Sequence, residues 1–402
     1  MALVPVKAAN RVGHSICFDF ATRRRGFRNS FSDKLWSELI LCRLGVPVRC
    51  RNAMIIVMAL ALWGQFLAVE PPSLHGGGAT FPFPLYAKWA YLYKAKTGMT
   101  LNYLSIGSGG GLEQLRARTV DFGASEYPLP EDRLRVQGLL QFPMVVGAVV
   151  VGFNLPDLPS GELRLTADLL ARIYLGEVTY WNDRAIRDLN PGLRLPGLPI
   201  TVVHRADGSG TTWLFTQYLT RAFPAWGKAV GAGPSVRWPV GAGAKGNEGV
   251  ASYIKTIPGA LGYLESTYAA QSGLATACLR NRDGRFVAPS PSAYKAAEKQ
   301  ADWSGPVGDG TFLLDLPGPT TWPIVGASYI LIYNEQSDAA KAKSLLGFLD
   351  WCLGEGDGVA EELGYVPLPD GAAQRNRAAW AAKVKSGGKA VWSPAAAAAG
   401  NP

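Results

Sequence analysis

Three short segments of this chain combine small hydroxyls, free backbone donors and fixed charge in the way an oxyanion requires. The first two are Gly76-Gly77-Gly78-Ala79-Thr80-Phe81 and Gly107-Ser108-Gly109-Gly110-Gly111, the latter leading on to Glu126. The third is Arg205-Ala206-Asp207-Gly208-Ser209-Gly210-Thr211-Thr212. Glycine-rich backbone exposes N–H groups, serine and threonine hydroxyls donate directionally, and one guanidinium adds a charged fork. Together they suit a small tetrahedral anion. Arg205 and Asp207 flank Ala206 after a strand and ahead of a loop that opens a helix. At that helix start Ser209, Gly210 and Thr211 are placed to donate, while Asp207 orients Arg205. Read alone, the same segment also suits ordinary helix capping, and Gly76–Phe81 alone suits a strand-to-helix turn.

Glu126 gives the set its discrimination. Phosphate near neutral pH carries a proton, whereas sulfate does not. A fixed carboxylate accepts a charge-assisted hydrogen bond of about 1.5–3 kcal/mol from the protonated anion and repels the deprotonated one. Each ~1.4 kcal/mol is tenfold in affinity, so one acidic group can exclude sulfate.

These loops must be held by alternating helices and strands. The pattern predicts a helix over 85–96, a strand over 101–106, a helix over 112–117 and a tight strand over 121–125. The Val-rich run 142–153 is too short to span a membrane and reads as a fully buried strand. Further helices are expected over 167–174, 184–188, 212–220 and 339–352, with strands over 200–203 and 329–333. The alternation specifies an α/β layer architecture. The chain is read as leaving a first lobe near 155 and returning near 322. Two crossings of that kind make a hinge. Lobe I is then 71–155 with 322–385, lobe II is 156–321, and a Gly/Ala/Pro-rich tail over 386–402 is flexible or loosely docked.

The formal charge of +9 is concentrated at the start: residues 1–53 hold ten Lys/Arg and three Asp/Glu, a net +7, leaving +2 for the rest. With no basic stripe in the body, nucleic acid is not the expected partner. A basic flank, Arg49-Cys50-Arg51, precedes an apolar run from Met54 to Trp63. This predicts a secretory signal peptide within 1–70, with the true start at Met54 or an earlier site downstream of Met1, and an exported mature protein; an uncleaved membrane anchor is the alternative. His14, His75 and His204 are the only histidines, and the cysteines show no close spacing, so no metal or other cofactor is expected. Cys278 and Cys352 are read as two separate buried thiols.

From Gly76 to about Trp380 the chain resembles the periplasmic phosphate-binding subunit of the phosphate ABC transporter. The likeness is carried in order by Gly78-Ala79-Thr80-Phe81-Pro82, Ile106-Gly107-Ser108-Gly109-Gly110, Val120-Asp121-Phe122-Gly123-Ala124-Ser125 and the segment from Arg205 to Thr211. Lys245-Gly246-Asn247-Glu248-Gly249 and Pro258-Gly259-Ala260-Leu261-Gly262-Tyr263 complete it. The resemblance implies a two-lobed venus-flytrap fold that closes on phosphate in the interdomain cleft. It implies that Thr80, Phe81 and Ser108 donate from the first lobe. Arg205, Asp207, Ser209, Gly210 and Thr211 would close from the second, with Asp207 fixing Arg205. Glu126 stands where the family usually has Asp as acceptor of the phosphate proton, and its extra methylene leaves phosphate against arsenate open. Trp181-Asn182-Asp183 and Leu189-Asn190-Pro191-Gly192 are read as fold features, and Lys245 and Asn247 not as direct ligands. The implied partners are inorganic phosphate and the membrane permease and ATPase of an importer, with the protein itself a monomer.

Two other classes are weighed. A sensor subunit that binds arsenate or phosphate and signals to a membrane kinase would use the same closed form. A hydrolase fits poorly: a nucleophile elbow needs glycine two places before Ser209, where Asp207 stands, and His204 is no positioned base. A nucleotide-binding loop lacks its Gly-Lys-Ser/Thr.

Overall fold

The computed structural model describes residues 73–305 and 313–393; the predicted signal peptide and the alanine-rich end of the tail lie outside them. Strand β1 (Ser73–Gly78) leads through α1 (Phe83–Thr97), β2 (Thr100–Ser105), α2 (Ser108–Arg116), β3 (Phe122–Ser125) and α3 (Glu131–Gln137) to the long β4 (Leu139–Phe153). Next come β5 (Arg164–Leu165), α4 (Ala167–Tyr174), α5 (Arg184–Leu189), β6 (Thr201–Arg205), α6 (Gly210–Ala222) and α7 (Pro224–Ala229). They are followed by β7 (Ala242–Ala244), α8 (Gly246–Thr256), β8 (Ala260–Glu265), α9 (Ser266–Ser272), β9 (Ala275–Thr276), β10 (Cys278–Arg280) and β11 (Phe286–Val287). The chain closes through α10 (Pro291–Glu298), β12 (Val325–Tyr333), α11 (Ala339–Cys352), α12 (Asp357–Glu362) and α13 (Asp370–Lys383).

This is the expected α/β architecture, built on a mixed sheet ordered β2-β1-β3-β12-β4-β8-β6-β7, with β9 beside β4. Strand β4 is the spine. Its residues are buried throughout, as a Val-rich strand covered on both faces must be. Its first part, Leu139 to Ala148, pairs with β12, and its last part, Val149 to Phe153, pairs with β8. Where partners change, Val149 N donates to Ile324 O at 2.9 Å and Trp322 Nε1 donates to Val149 O at 2.9 Å. Outgoing and returning chain are therefore bonded side by side at this crossing.

Local chemistry explains the helices that carry the site. Helix α1 accepts a proline in its first turn, where no intrahelical N–H is needed, and ends at Gly98 in the left-handed region (φ 77°). Helix α2 starts four residues before the expected Leu112, because the Gly/Ser run folds as its first turn rather than as a loop. The reason is contact: a Cβ on Gly111 would come 2.5 Å from Gly77 O on β1. Only glycine lets this turn lie on the strand backbone. Gly111→Ala is expected to lower stability by about 1–3 kcal/mol through overpacking, read as a lowered thermal midpoint; an unchanged midpoint would mean that β1 and α2 separate without cost.

Other expectations resolve as fold features. Trp181 is fully buried and donates from Nε1 to Gly259 O at 2.9 Å. Asp183 caps α5 by accepting from Ala185 N at 2.8 Å, and buried Asn190 pairs with both backbone groups of Arg164. Cys278 and Cys352 are both buried and unpaired. The described part of the tail is docked: Lys385–Ser386 pairs with Lys389–Ala390, and Trp392 sets its ring edge-on to Trp380 at 5.7 Å.

Candidate anion-binding site

The three segments singled out in the sequence converge. β1 ends at Gly78 and delivers Thr80 and Phe81, β3 ends one residue before Glu126, and β6 ends at Arg205. Helices α2 and α6 bring Ser108 and Gly210 at their N-terminal ends, where backbone N–H groups are free of intrahelical partners. Thr80, Ser108, Glu126, Arg205, Ser209 and Thr211 are all buried.

Direct hydrogen bonds join the segments. Gly109 N donates to Gly208 O at 2.9 Å, and Gly210 N donates to Ser108 Oγ at 3.0 Å. Gly210 also lies against Glu126, so close that a Cβ there would be 2.7 Å from Glu126 Cβ. The start of α6 therefore faces the carboxylate without an intervening side chain.

Glu126 accepts from Ser328 Oγ at 2.9 Å and from Ser108 Oγ at 3.4 Å. Burial pushes its pKa up to about 7, against the downward pull of the Ser328 hydrogen bond, the Arg205 charge and the Ser108 contact. Such a group is an acceptor that exchanges a proton near neutral pH.

Arg205 presents its guanidinium to Asp207 in a two-pronged ion pair, Nε to Oδ1 at 2.7 Å and Nη2 to Oδ2. Its remaining nitrogen, Nη1, reaches Thr211 Oγ1 at 3.4 Å. Burial would raise Asp207, but the hydrogen bonds and charge of Arg205, helped by Gly246 N, hold it below the usual carboxylate range. This pairing is the one expected from the alternation around Ala206, and it fixes the fork in one plane.

Two residues contribute less than their sequence position suggested. Ser209 Oγ accepts from Thr212 N at 3.0 Å as the cap of α6, so the capping reading holds for its side chain. Phe81 turns its ring into the core, edge-on to Tyr365 at 6.5 Å, leaving only its backbone for the site. His204 stacks on Trp238 at 4.9 Å with Nδ1 against Arg205 O at 3.1 Å; it is a packing residue.

Several supporting groups escaped the sequence reading. Tyr263 Oη receives Arg205 N at 3.1 Å and meets Thr212 Oγ1 at 2.7 Å. Tyr268 and Tyr365 donate their phenols to Thr80 O and Phe81 O, each at 2.7 Å. Asn247 donates to Thr80 Oγ1 at 2.8 Å. Its segment was visible as a glycine-flanked motif, Lys245 to Gly249; nothing local marked Ser328. A bulge in the β4–β12 ladder falls between Ser328 and Tyr329, opposite Pro143 and Val145. Proline has no N–H to give the ladder, and bulges re-aim side chains. Ser328 itself lies beside Glu126 through the β3–β12 pairing, in which Tyr329 stands opposite Ser125.

The model of the PBP superfamily domain matches residues 68–355. A phosphate-binding protein PstS from Pasteurella multocida is 44% identical over 343 residues, 85% of this chain and 99% of its own. A phosphate-binding protein PstS from Haemophilus influenzae is 45% identical over 80% of this chain and 96% of its own. Among solved structures, a high-affinity periplasmic phosphate-binding protein (PfluDING) with phosphate bound superposes with a TM-score of 0.64 at 20% identity, over 80% of this chain and 98% of its own. A phosphate-binding protein from Stenotrophomonas maltophilia gives 0.58 at 21% identity, over 76% and 93%.

Proposed function

Because the chain belongs to the PstS family of phosphate-binding proteins within the PBP superfamily, we propose that it captures inorganic phosphate in the periplasm and delivers it to an ABC-type importer. It acts in this reading as a monomer, exported by the leader within 1–70, with a membrane permease and ATPase as partners. The two lobes are 71–155 with 322–385 and 156–321. Phosphate is held by Thr80, Phe81, Ser108 and Glu126 from one lobe and by Arg205, Asp207, Ser209, Gly210 and Thr211 from the other.

The observation that carries this reading is the buried Glu126 carboxylate facing the start of α6, with neutral hydroxyl and backbone donors and the buried Arg205–Asp207 pair gathered around it. A pocket without an acceptor would take sulfate as readily as phosphate. With Glu126 in place, the protonated oxygen of phosphate finds a partner and sulfate meets a carboxylate. Anion contacts made to both lobes only when they are together bias the pair toward closure. The bonds between Gly109 and Gly208 and between Ser108 and Gly210 give that arrangement its own support.

Isothermal titration calorimetry on the protein freed of bound anion tests the reading against phosphate, arsenate and sulfate. Phosphate is expected to bind tightly with sulfate silent. Preference for arsenate would move the assignment to an arsenate receptor, and silence toward all three would remove it.

A further inference from the structure

A threonine hydroxyl has one hydrogen to give and two lone pairs to receive with. In an anion pocket it is useful only when the hydrogen points at the anion. The surroundings of Thr80 decide that orientation. Its Oγ1 receives the backbone N–H of Asn247 at 3.2 Å and the side-chain Nδ2 of Asn247 at 2.8 Å. Both acceptor positions are then occupied, and the hydroxyl hydrogen can only be donated elsewhere. Thr211 Oγ1 is treated alike, receiving Asn247 Nδ2 at 3.4 Å and Arg205 Nη1 at 3.4 Å. The amide cannot be turned round, because Asn247 Oδ1 accepts from Glu265 N at 3.0 Å, and a backbone N–H only donates. Asn247 is fully buried, so water does not compete for these bonds.

We propose that Asn247 is a positioning residue that makes the Thr80 and Thr211 hydroxyls obligate donors toward the bound anion. It rests on the phosphate-receptor reading above. On this wall the pocket then offers hydrogens only, and a proton on the anion is directed to Glu126. Asn247 thus sharpens the discrimination that Glu126 provides without touching the ligand through its own side chain.

A double-mutant cycle on the full chain, read by phosphate titration, tests this. Asn247→Leu removes both side-chain donors at similar volume and is expected to weaken phosphate binding on the order of 10- to 100-fold, as loss of a hydrogen bond to a charged group does. In a Thr80→Val background, where only the longer 3.4 Å contact to the Thr211 hydroxyl remains to be oriented, the same change should cost less than about threefold. A cost that persists in full in that background would overturn the proposal, since a purely structural role does not depend on the Thr80 hydroxyl. If Asn247→Leu fails to fold with Glu265 N unpaired, Asn247→Asp keeps that acceptor and reverses polarity toward Thr80. It should weaken binding, and less so with Val at 80; binding equal to the natural chain would overturn the proposal. Silence of the natural chain itself toward phosphate would instead bring down the receptor reading.

Discussion

Arg205→Ala is expected to lower phosphate affinity on the order of 10²–10⁴-fold, the range that follows from about 3–5 kcal/mol for truncating one partner of a buried, hydrogen-bonded charge pair at a binding site. Two effects add. The guanidinium, whose side chain is 1% exposed, is withdrawn from the anion and from Thr211. The Asp207 carboxylate is then left unpaired beside a negatively charged ligand. The second effect predicts a partial rescue: Arg205→Ala with Asp207→Ala should bind about tenfold more tightly than Arg205→Ala alone. Arg205→Lys should not restore the natural affinity, because an ammonium cannot make the two-pronged pair that holds the fork in plane. Titration of the three variants decides; Arg205→Ala binding within threefold of the natural chain would remove the α6 segment from the site.

Glu126→Gln should separate affinity from stability. Glutamine keeps a carbonyl acceptor but presents an amide donor, so phosphate binding at pH 8 is expected to weaken by tenfold or more and sulfate to begin to bind. The fold should respond in the opposite direction. The folded-state pKa of Glu126 is raised from 4.5 to about 7, so the protonated form is the one that folding favours. Its contribution is fully present below about pH 4.5 and is lost as pH rises through about 7, when ionising the buried carboxyl costs about 3 kcal/mol. Without anion, Glu126→Gln should therefore raise the thermal midpoint at pH 8 and leave it nearly unchanged at pH 4.5. Equal midpoints at pH 8 would show that Glu126 ionises without penalty, and unchanged selectivity would take it out of the pocket. Glu265, also buried with its pKa pushed up to about 7 by burial, adds a slope of the same sign, so the comparison is between variants at one pH.

Much of the site could be read along the chain because its chemistry is local. Arg205 and Asp207 lie two residues apart at a strand end, and the geometry of a strand with a turn after it is enough to pair them. Ser209, Gly210 and Thr211 belong to a helix start, whose free N–H groups follow from helix geometry wherever it occurs. The burial of β4 followed from its valines, and the α/β alternation from the order of helices and strands. The Gly107–Gly111 run was misjudged at its boundary, since Gly111 serves contact with β1 while Gly107 and Gly109 lie against Asp207 and Gly208.

What the sequence by itself determined is the kind of ligand: one guanidinium paired with one carboxylate, a second carboxylate and a set of neutral donors suit a small oxyanion. What only the tertiary structure decided is how those groups are oriented and charged. Ser328 reaches Glu126 because β12, from far along the chain, pairs antiparallel with β3 and sets Tyr329 opposite Ser125. Asn247 reaches Thr80 because α8 begins against the loop after β1. The raised pKa of Glu126 exists only once the surrounding segments have excluded water, and the Ser328 hydrogen bond pulls it part of the way back down. Donor identity is a property of a residue, whereas hydroxyl direction and proton affinity belong to the surroundings, and those are assembled from segments no local pattern links.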